Sequence, residues 1–134
     1  MAAKKQTLST TLLDAVLTNA TYTGPVGVYA ALYTAAPTAT VDGTEVATAG
    51  ATGYLRTLIP FGTGAAAGSI ANDGAVDFPV ATAAWGICTS AAICAAGVRG
   101  VADYLYFGNL TVQKDVGLGD QLSFAIGALR VTES

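Results

Sequence analysis

The chain contains no histidine, and only 11% of its 134 residues are charged, whereas about a quarter are charged in ordinary soluble domains. Without histidine there can be no Ser-His-Asp or Cys-His catalytic site and no His-ligated metal. The paired carboxylates, Asp73 with Asp77 and Asp115 with Asp120, flank turns, which is typical of solvated turn residues. We therefore expect no enzymatic activity and no cofactor.

Basic side chains are equally sparse and do not cluster. The six Lys and Arg residues are scattered apart from Lys4 and Lys5, and the net charge is -3, so a nucleic-acid surface is not expected. Two uncharged stretches, 15–41 and 78–98, contain Pro, Gly and Thr rather than sustained Leu and Ile, which argues against membrane insertion. With so few charged side chains, a monomer would have little charged surface to expose to water, which indicates an assembled, oligomeric protein.

The two cysteines, Cys88 and Cys94, are six residues apart. In an extended strand this spacing corresponds to about 20 Å, while a disulfide needs Cα atoms within about 7 Å. We therefore predict free, buried thiols, in keeping with synthesis in a reducing cytoplasm. Trp85, just before them, is interpreted as a core aromatic rather than an interface anchor.

Residues 24–38 carry the clearest strand pattern, and the rest of the chain can be arranged around them. Val26, Val28, Ala30 and Leu32 alternate with Tyr29, Ala31 and Tyr33, so one face is aliphatic and the other carries two tyrosines. This alternation predicts a central strand of a sandwich. A further strand is predicted at 54–61, with Leu55, Thr57, Ile59 and Phe61 inward and Tyr54, Arg56 and Leu58 outward. Two more are predicted on either side of a hairpin turn at 72–74.

The C-terminal half of the sequence continues this pattern. A strand containing Trp85 and both cysteines has a break predicted near Ser90, and β-bulges are predicted at Gly108-Asn109 and Gly127. The resulting seven or eight short strands with glycine-rich turns predict an all-β, antiparallel, jelly-roll-like β-sandwich.

One short helix precedes the strands. Ser9 or Thr10 is a candidate N-cap, and four apolar residues then follow at helical spacing: Leu12, Leu13, Val16 and Leu17. Such a helix is too short to stand alone. We expect it to dock on its own sandwich or, less favourably, on a partner. Residues 1–8 are predicted to form a polar N-terminal arm, and residues 9–134 a single domain.

Several segments resemble a group of small tailed-bacteriophage virion proteins, described as tail-fibre-like or head-decoration proteins. The similarity covers residues 11–132 in the order LLDAVLTNA (with the preceding Thr11), VGVYAALYTAAPT, GTEV, GYLRTLIPFG, AVDFPVATAAWG and YLYFGNLTVQKDVGLGDQLSFAIGALRVT. The segment 87–102 fits the pattern least. The resemblance implies a virion component with a β-sandwich and no catalytic residues.

Two functions are compatible with this resemblance. In the first, a homotrimeric cement protein sits on the capsid surface and stabilises the head by clamping neighbouring copies of the major capsid protein. Candidate contacts for this role are Lys4, Lys5, Leu12, Leu13, Tyr54 and Arg99. In the second, a tail-tip or tail-fibre component binds a host surface receptor, with an exposed set of aromatic and acidic side chains. Candidates for that set are Tyr22, Tyr54, Asp42 and Asp73.

Overall fold

The protein is an all-β sandwich with one helix, as the strand pattern predicted. A computed structural model describes residues 3–47, 52–98 and 104–132. One layer is a six-stranded antiparallel sheet, and the other consists of two two-stranded sheets. The elements in chain order are β1 (Ala3–Lys4), α1 (Gln6–Leu17), β2 (Tyr29–Ala35), β3 (Thr44–Glu45), β4 (Thr57–Leu58), β5 (Ser69–Ala71), β6 (Val76–Asp77), β7 (Gly86–Cys94), β8 (Tyr104–Val116), β9 (Ser123–Phe124) and β10 (Arg130–Thr132).

Strand β2 is central, which confirms the prediction for residues 29–35. One of its edges pairs with β7, and its other edge pairs with both β3 and β4. Ala30 and Leu32 enter the main core between the two layers, whereas Ala31 and Tyr33 enter a smaller cluster on the opposite face. The alternation read in the sequence therefore buries both faces of this strand. Val26, assigned to the same run, lies before the strand and is fully exposed.

Strand β7 is continuous from Gly86 to Cys94, so the break predicted near Ser90 is a change of register in its pairing with β8 and not an interruption of the strand. Cys88 pairs with Lys114 and Ser90 pairs with Asn109. Between these pairs β7 advances by two residues and β8 by five, so β8 carries three extra residues after Asn109. The bulge expected at Gly108-Asn109 therefore lies just after these two residues, because Gly108 stays in regular pairing with Ala91.

The second layer corrects the hairpin predicted at 72–74. Strands β5 and β6 flank this turn but do not pair with each other, since β5 pairs with β10 and β6 with β9. The buried Asn72 explains the difference, because it binds the chain across the layer. Its Nδ2 donates to the carbonyl oxygens of Gly74 at 2.8 Å and Ala125 at 3.0 Å, and its Oδ1 accepts from the Leu129 amide at 2.9 Å.

The two small sheets are therefore two halves of one irregular ribbon. From Ala71 to Val76 the first chain segment advances five residues, while its partner advances six from Phe124 to Arg130. One extra residue thus lies in the last segment, where Gly127 adopts a φ of 82° that favours glycine. This geometry agrees with the bulge predicted at Gly127.

The main core between the layers is built on three aromatic rings. Tyr54 and Trp85 meet edge to face with ring centroids 5.4 Å apart, and Phe78 packs 6.4 Å from Trp85. The Trp85 indole N–H donates to the Thr52 carbonyl oxygen at 2.7 Å, so its polar atom is satisfied inside the protein. Trp85 is thereby confirmed as a core aromatic.

Residues 54–56 face in directions that differ from the prediction, whereas Leu58 faces outward as predicted. Tyr54 and Arg56, expected outside, are buried, while Leu55, expected inside, is 62% exposed. The chain forms strand pairs only at Thr57–Leu58, so a single alternation does not run through the whole segment. Tyr54 and Arg56 turn inward because an acidic partner, Glu45, is buried there.

Glu45 and Arg56 form a buried, two-pronged ion pair. Arg56 Nε donates to Glu45 Oε2 and Nη2 donates to Oε1, each at 2.9 Å. A third bond from Nη1 reaches the Ala96 carbonyl oxygen at 2.9 Å. The Tyr54 hydroxyl donates to Glu45 Oε2 at 2.7 Å and accepts from the Leu32 amide at 3.0 Å. Burial and then the Glu45 carboxylate raise the pKa of Tyr54 well above its usual value.

The two cysteines are free and buried, as predicted. Cys88 lies in the main core and Cys94 in the smaller cluster on the other face. The register change between them explains why two residues of equal parity reach opposite faces of the sheet. Burial, and after it the charge of Asp115, raises the pKa of the Cys88 thiol to about 11, so it remains a neutral thiol near pH 7.

We predict that Arg56→Ala lowers the free energy of unfolding by about 3–5 kcal/mol, because it leaves the Glu45 carboxylate buried without its cation. Chemical denaturation of the purified protein measures this loss. Arg130→Ala is the matched control, since Arg130 is exposed and should change stability by less than about 0.5 kcal/mol. Equal effects of the two substitutions would contradict a structural role for the buried pair.

Candidate interaction surface

Most of the helix projects its apolar side chains into solvent. Leu8 is its one buried residue, while Leu13, Val16 and Leu17 are 59%, 78% and 74% exposed. Leu12 is half-buried. The expectation that the helix docks its leucines on its own sandwich is therefore wrong for Leu13 and Leu17. The alternative, a helix that docks on a partner, remains open.

The base of the helix is held firmly by the large sheet. β1 adds to the edge of β8, pairing Ala3 with Phe107 and Lys4 with Tyr106. The Lys5 amide then donates to the Leu105 carbonyl oxygen at 2.9 Å. These contacts start the helix at Gln6, before the Ser9 or Thr10 cap that was predicted. Residues 3–5 of the proposed arm thus lie on the chain's own sheet and residues 6–8 begin the helix, and the division at residue 8 stays a prediction.

The helix ends at Leu17 for local reasons. The Thr18 hydroxyl and amide both donate to the Asp14 carbonyl oxygen, at 2.7 and 3.0 Å. Asn19 follows with a φ of 59°, the left-handed conformation that commonly ends helices. Residues 18–26 are all exposed and form no helix or strand. The helix and this segment together make a projecting surface that the described part of the chain does not cover.

A small groove lies at the base of the helix, around Tyr104. Its lining includes Lys5, Leu8, Tyr22 and Tyr104, and its volume is about 240 Å³. The Lys5 ammonium lies 4.4 Å from the centre of the Tyr104 ring, a cation–π distance. Burial and then the nearby Asp42 raise the pKa of Tyr104. The groove therefore brings the Lys5 ammonium beside aromatic rings, while Asp42 acts on Tyr104 without lining the groove.

A second concavity is apolar and lies between the two layers. It has a volume of about 350 Å³, and no charged residue lines it. Its walls come from β8, from the ribbon of the second layer and from the segment after β4. The lining residues are Val28, Phe61, Ala65, Gly68, Ser69, Ile70, Ile93, Leu105, Tyr106 and Val131. We call this concavity the interlayer cleft.

The predicted contact residues lie in different environments. Lys4 and Lys5 are half-buried at the edge of β8, and Leu13 is exposed on the helix. Tyr54 is a core residue, because its ring and hydroxyl are committed to Trp85, Leu32 and Glu45. Arg99 lies outside the described residues.

The four candidates for receptor contact do not form one set. Tyr22 lines the groove at Tyr104 and Asp42 acts on the same tyrosine. Asp73 instead lies beside the loop at Thr63, whose hydroxyl donates to its Oδ2 at 3.4 Å. Tyr54 is buried. Two of the four, Tyr22 and Asp42, therefore each lie near Tyr104, but only Tyr22 lines the groove.

The interlayer cleft was not predicted, because its walls come from segments far apart in sequence. Val28, Ile70 and Val131 each carry an ordinary strand signal, and nothing in that signal distinguishes a wall of a cleft from the inside of a core. Val16 and Leu17 did stand out as apolar helix positions. Their exposure could not be read from periodicity, which gives a face but not its neighbour.

Within residues 3–47, 52–98 and 104–132, no helix is long and apolar enough to cross a membrane. Within the same ranges, no three His, Cys, Asp or Glu residues are grouped so that they could hold a metal ion.

Comparison with known proteins places this sandwich among bacteriophage virion proteins. The family model described as podophage GP4 fiber I protein gp80 matches residues 3–132. Because this match covers nearly the whole chain, the protein belongs to that family. The resemblance to small tailed-phage virion proteins is thereby confirmed, and the chain is a structural component of a phage particle. A search of curated proteins found no match.

We predict different responses from two leucines of the same helix. Leu8→Ala should lower the free energy of unfolding by about 2–5 kcal/mol, the range for buried leucines. Leu17→Ala should change it by less than about 0.5 kcal/mol, as exposed substitutions do. Chemical denaturation at a concentration where the chain is monomeric provides the measurement. A large loss for Leu17→Ala would mean that the helix packs on its own sandwich after all.

Proposed function

We propose that this protein is a building block of a virion fibre, that it works as a homotrimer, and that it contacts a receptor on the host surface. The match to the fibre family over residues 3–132 carries the proposal. The exposed helix supports it, because a subunit that assembles lengthwise or in rings needs apolar surface outside its own core. Charges are too few to cover that surface in a lone monomer.

The cement function, our first expectation, is less well supported than the fibre function. The family to which the chain belongs is named for a fibre protein and not for a head-decoration protein. In the structure, Tyr54 cannot serve as one of the contacts proposed for clamping the capsid, since it is buried. Binding to the major capsid protein stays a prediction, tested by the same experiment that tests the fibre.

The groove at Tyr104 is the surface that best suits a receptor such as a glycan. Sugars present apolar C–H faces together with hydroxyl groups, so they are bound by aromatic rings next to polar groups. Tyr22 offers a partly exposed ring, Thr7 and Thr11 bring hydroxyls to the same groove, and Asp42 is close to Tyr104. These elements lie together only because the arm, the helix and the loop at 38–42 all meet β8.

We predict that gold-labelled antibodies raised against the chain decorate the fibres of intact phage particles. The same antibodies on particles that lack the protein provide the control for specificity. Cryo-electron microscopy of the labelled particles gives the position. Label confined to the surface of the head would overturn the fibre assignment and support the cement function.

We also predict that Tyr22→Ala weakens adsorption of phage to host cells by about 2- to 10-fold, the effect of losing one aromatic contact. The protein should fold normally, because Tyr22 is 39% exposed and follows the helix. Thr21→Ala is the matched control, since it alters the preceding exposed residue outside the groove. Unchanged adsorption of the Tyr22→Ala phage would contradict receptor binding at the groove.

A further inference from the structure

The chain exposes more surface than its mass requires. Its accessible area is 7224 Å², whereas a compact monomer of 13.3 kDa exposes about 6,500 Å². The projecting helix and residues 18–26 are the described segments that extend beyond the sandwich.

The C-terminal half of the helix offers an exposed surface built from apolar side chains. Leu13, Val16 and Leu17 follow the i, i+3, i+4 spacing that places side chains on one face, and all three are more than half exposed. Asp14 is the one charged residue between Gln6 and Leu17. A partner for this face must therefore be apolar, and it needs no charged group.

The interlayer cleft has the chemistry and the size to receive that face. Its lining is uncharged and almost entirely aliphatic or aromatic. A dry cavity of about 150 Å³ accepts a benzene-sized group, so the cleft of about 350 Å³ can hold two aliphatic side chains of the size of leucine. Filling it would remove apolar walls such as Phe61 and Ile70 from water.

The helix face does not occupy the cleft of its own chain, although the two features are close. Leu105 lines both the cleft and the groove at the base of the helix, and its carbonyl oxygen anchors the Lys5 amide. The helix therefore leaves the sheet beside the mouth of the cleft, with its apolar residues exposed. A second copy of the chain can supply a cleft for the exposed helix face and a helix face for the open cleft.

We propose that copies of this chain assemble by inserting the Leu13, Val16 and Leu17 face of one subunit into the interlayer cleft of the next. The contact joins two different patches, so it is head to tail, and it closes into a ring when the rotation allows. Three copies give the homotrimer. This inference deepens the oligomeric part of the proposed function, but it is tested on the purified chain and does not depend on where the virion carries it.

Cysteine cross-linking distinguishes this contact from others, because both native cysteines are buried. One set of variants carries Leu13→Cys, Val16→Cys or Leu17→Cys, and the other carries Ala65→Cys at the exposed rim of the cleft. Mild oxidation of a mixture of the two sets should give a disulfide-linked dimer for at least one pair. Each variant oxidised alone should stay monomeric on a non-reducing gel. A chain with both changes should give covalent trimers.

Leu118→Cys is the matched control, because Leu118 is 75% exposed and lies outside the helix and the cleft. Mixed with Ala65→Cys, it should give no dimer. Cross-linking of a helix variant with itself would overturn the proposal in favour of helix-to-helix pairing. The absence of cross-links from every helix variant mixed with Ala65→Cys would overturn it as well.

A second measurement needs no new thiol. Ala65→Trp should fill the mouth of the cleft and weaken self-association at least tenfold in analytical ultracentrifugation. Ala84→Trp, at an exposed position outside the cleft, should leave it unchanged. Unaltered association of Ala65→Trp, or a wild-type chain that remains monomeric at all concentrations, would refute the helix-in-cleft contact. Antibody labelling of the fibre could still succeed in either case, so the two proposals fail separately.

Discussion

The buried ion pair between Arg56 and Glu45 is the contact on which the outer edge of the large sheet depends. Strands β3 and β4 have two residues each and share one edge of β2, so neither is long enough to hold itself in place. The Tyr54 hydroxyl links β2 to β3, because it accepts a hydrogen bond from the Leu32 amide and donates one to Glu45. Desolvation offsets much of the Coulomb energy of such a pair. We interpret its main contribution as structural specificity, because its hydrogen bonds fit one arrangement of β2, β3 and β4.

The second organising feature is the way the chain divides its apolar residues between interior and surface. The main core uses Phe78, Trp85 and Leu32, and a smaller cluster behind the sheet uses Tyr33 and Tyr104. With both faces of β2 covered, the helix tip does not pack on this strand, and Leu13, Val16 and Leu17 stay exposed in a single subunit. This exposed helix face is therefore the apolar surface on which the proposed assembly depends.

Some sequence predictions were confirmed because the features they concern depend on the local sequence alone. The alternation in β2, the irregularity near Ser90 and the extra residue near Gly127 all follow from period-2 patterns and from glycine's tolerance of positive φ. The prediction for residues 54–56 failed because Arg56 was assumed to face water. Its burial depends on Glu45, eleven residues earlier, and no periodicity reports such a pairing. The hairpin at 72–74 failed similarly, since Asn72 binds residues near 125–129.

The sequence by itself determined the class of this protein: an antiparallel β-sandwich with one helix, two free thiols and a virion family resemblance. Those features depend on local spacing, on the types of residue present and on motifs that are read in order along the chain. Only the tertiary structure decided that Tyr54 is buried, that Leu17 is exposed and that Leu105 lies between a helix base and an apolar cleft. Exposure and cavities depend on which distant segments meet, and that outcome is set by the packing of the whole chain rather than by any one stretch of it.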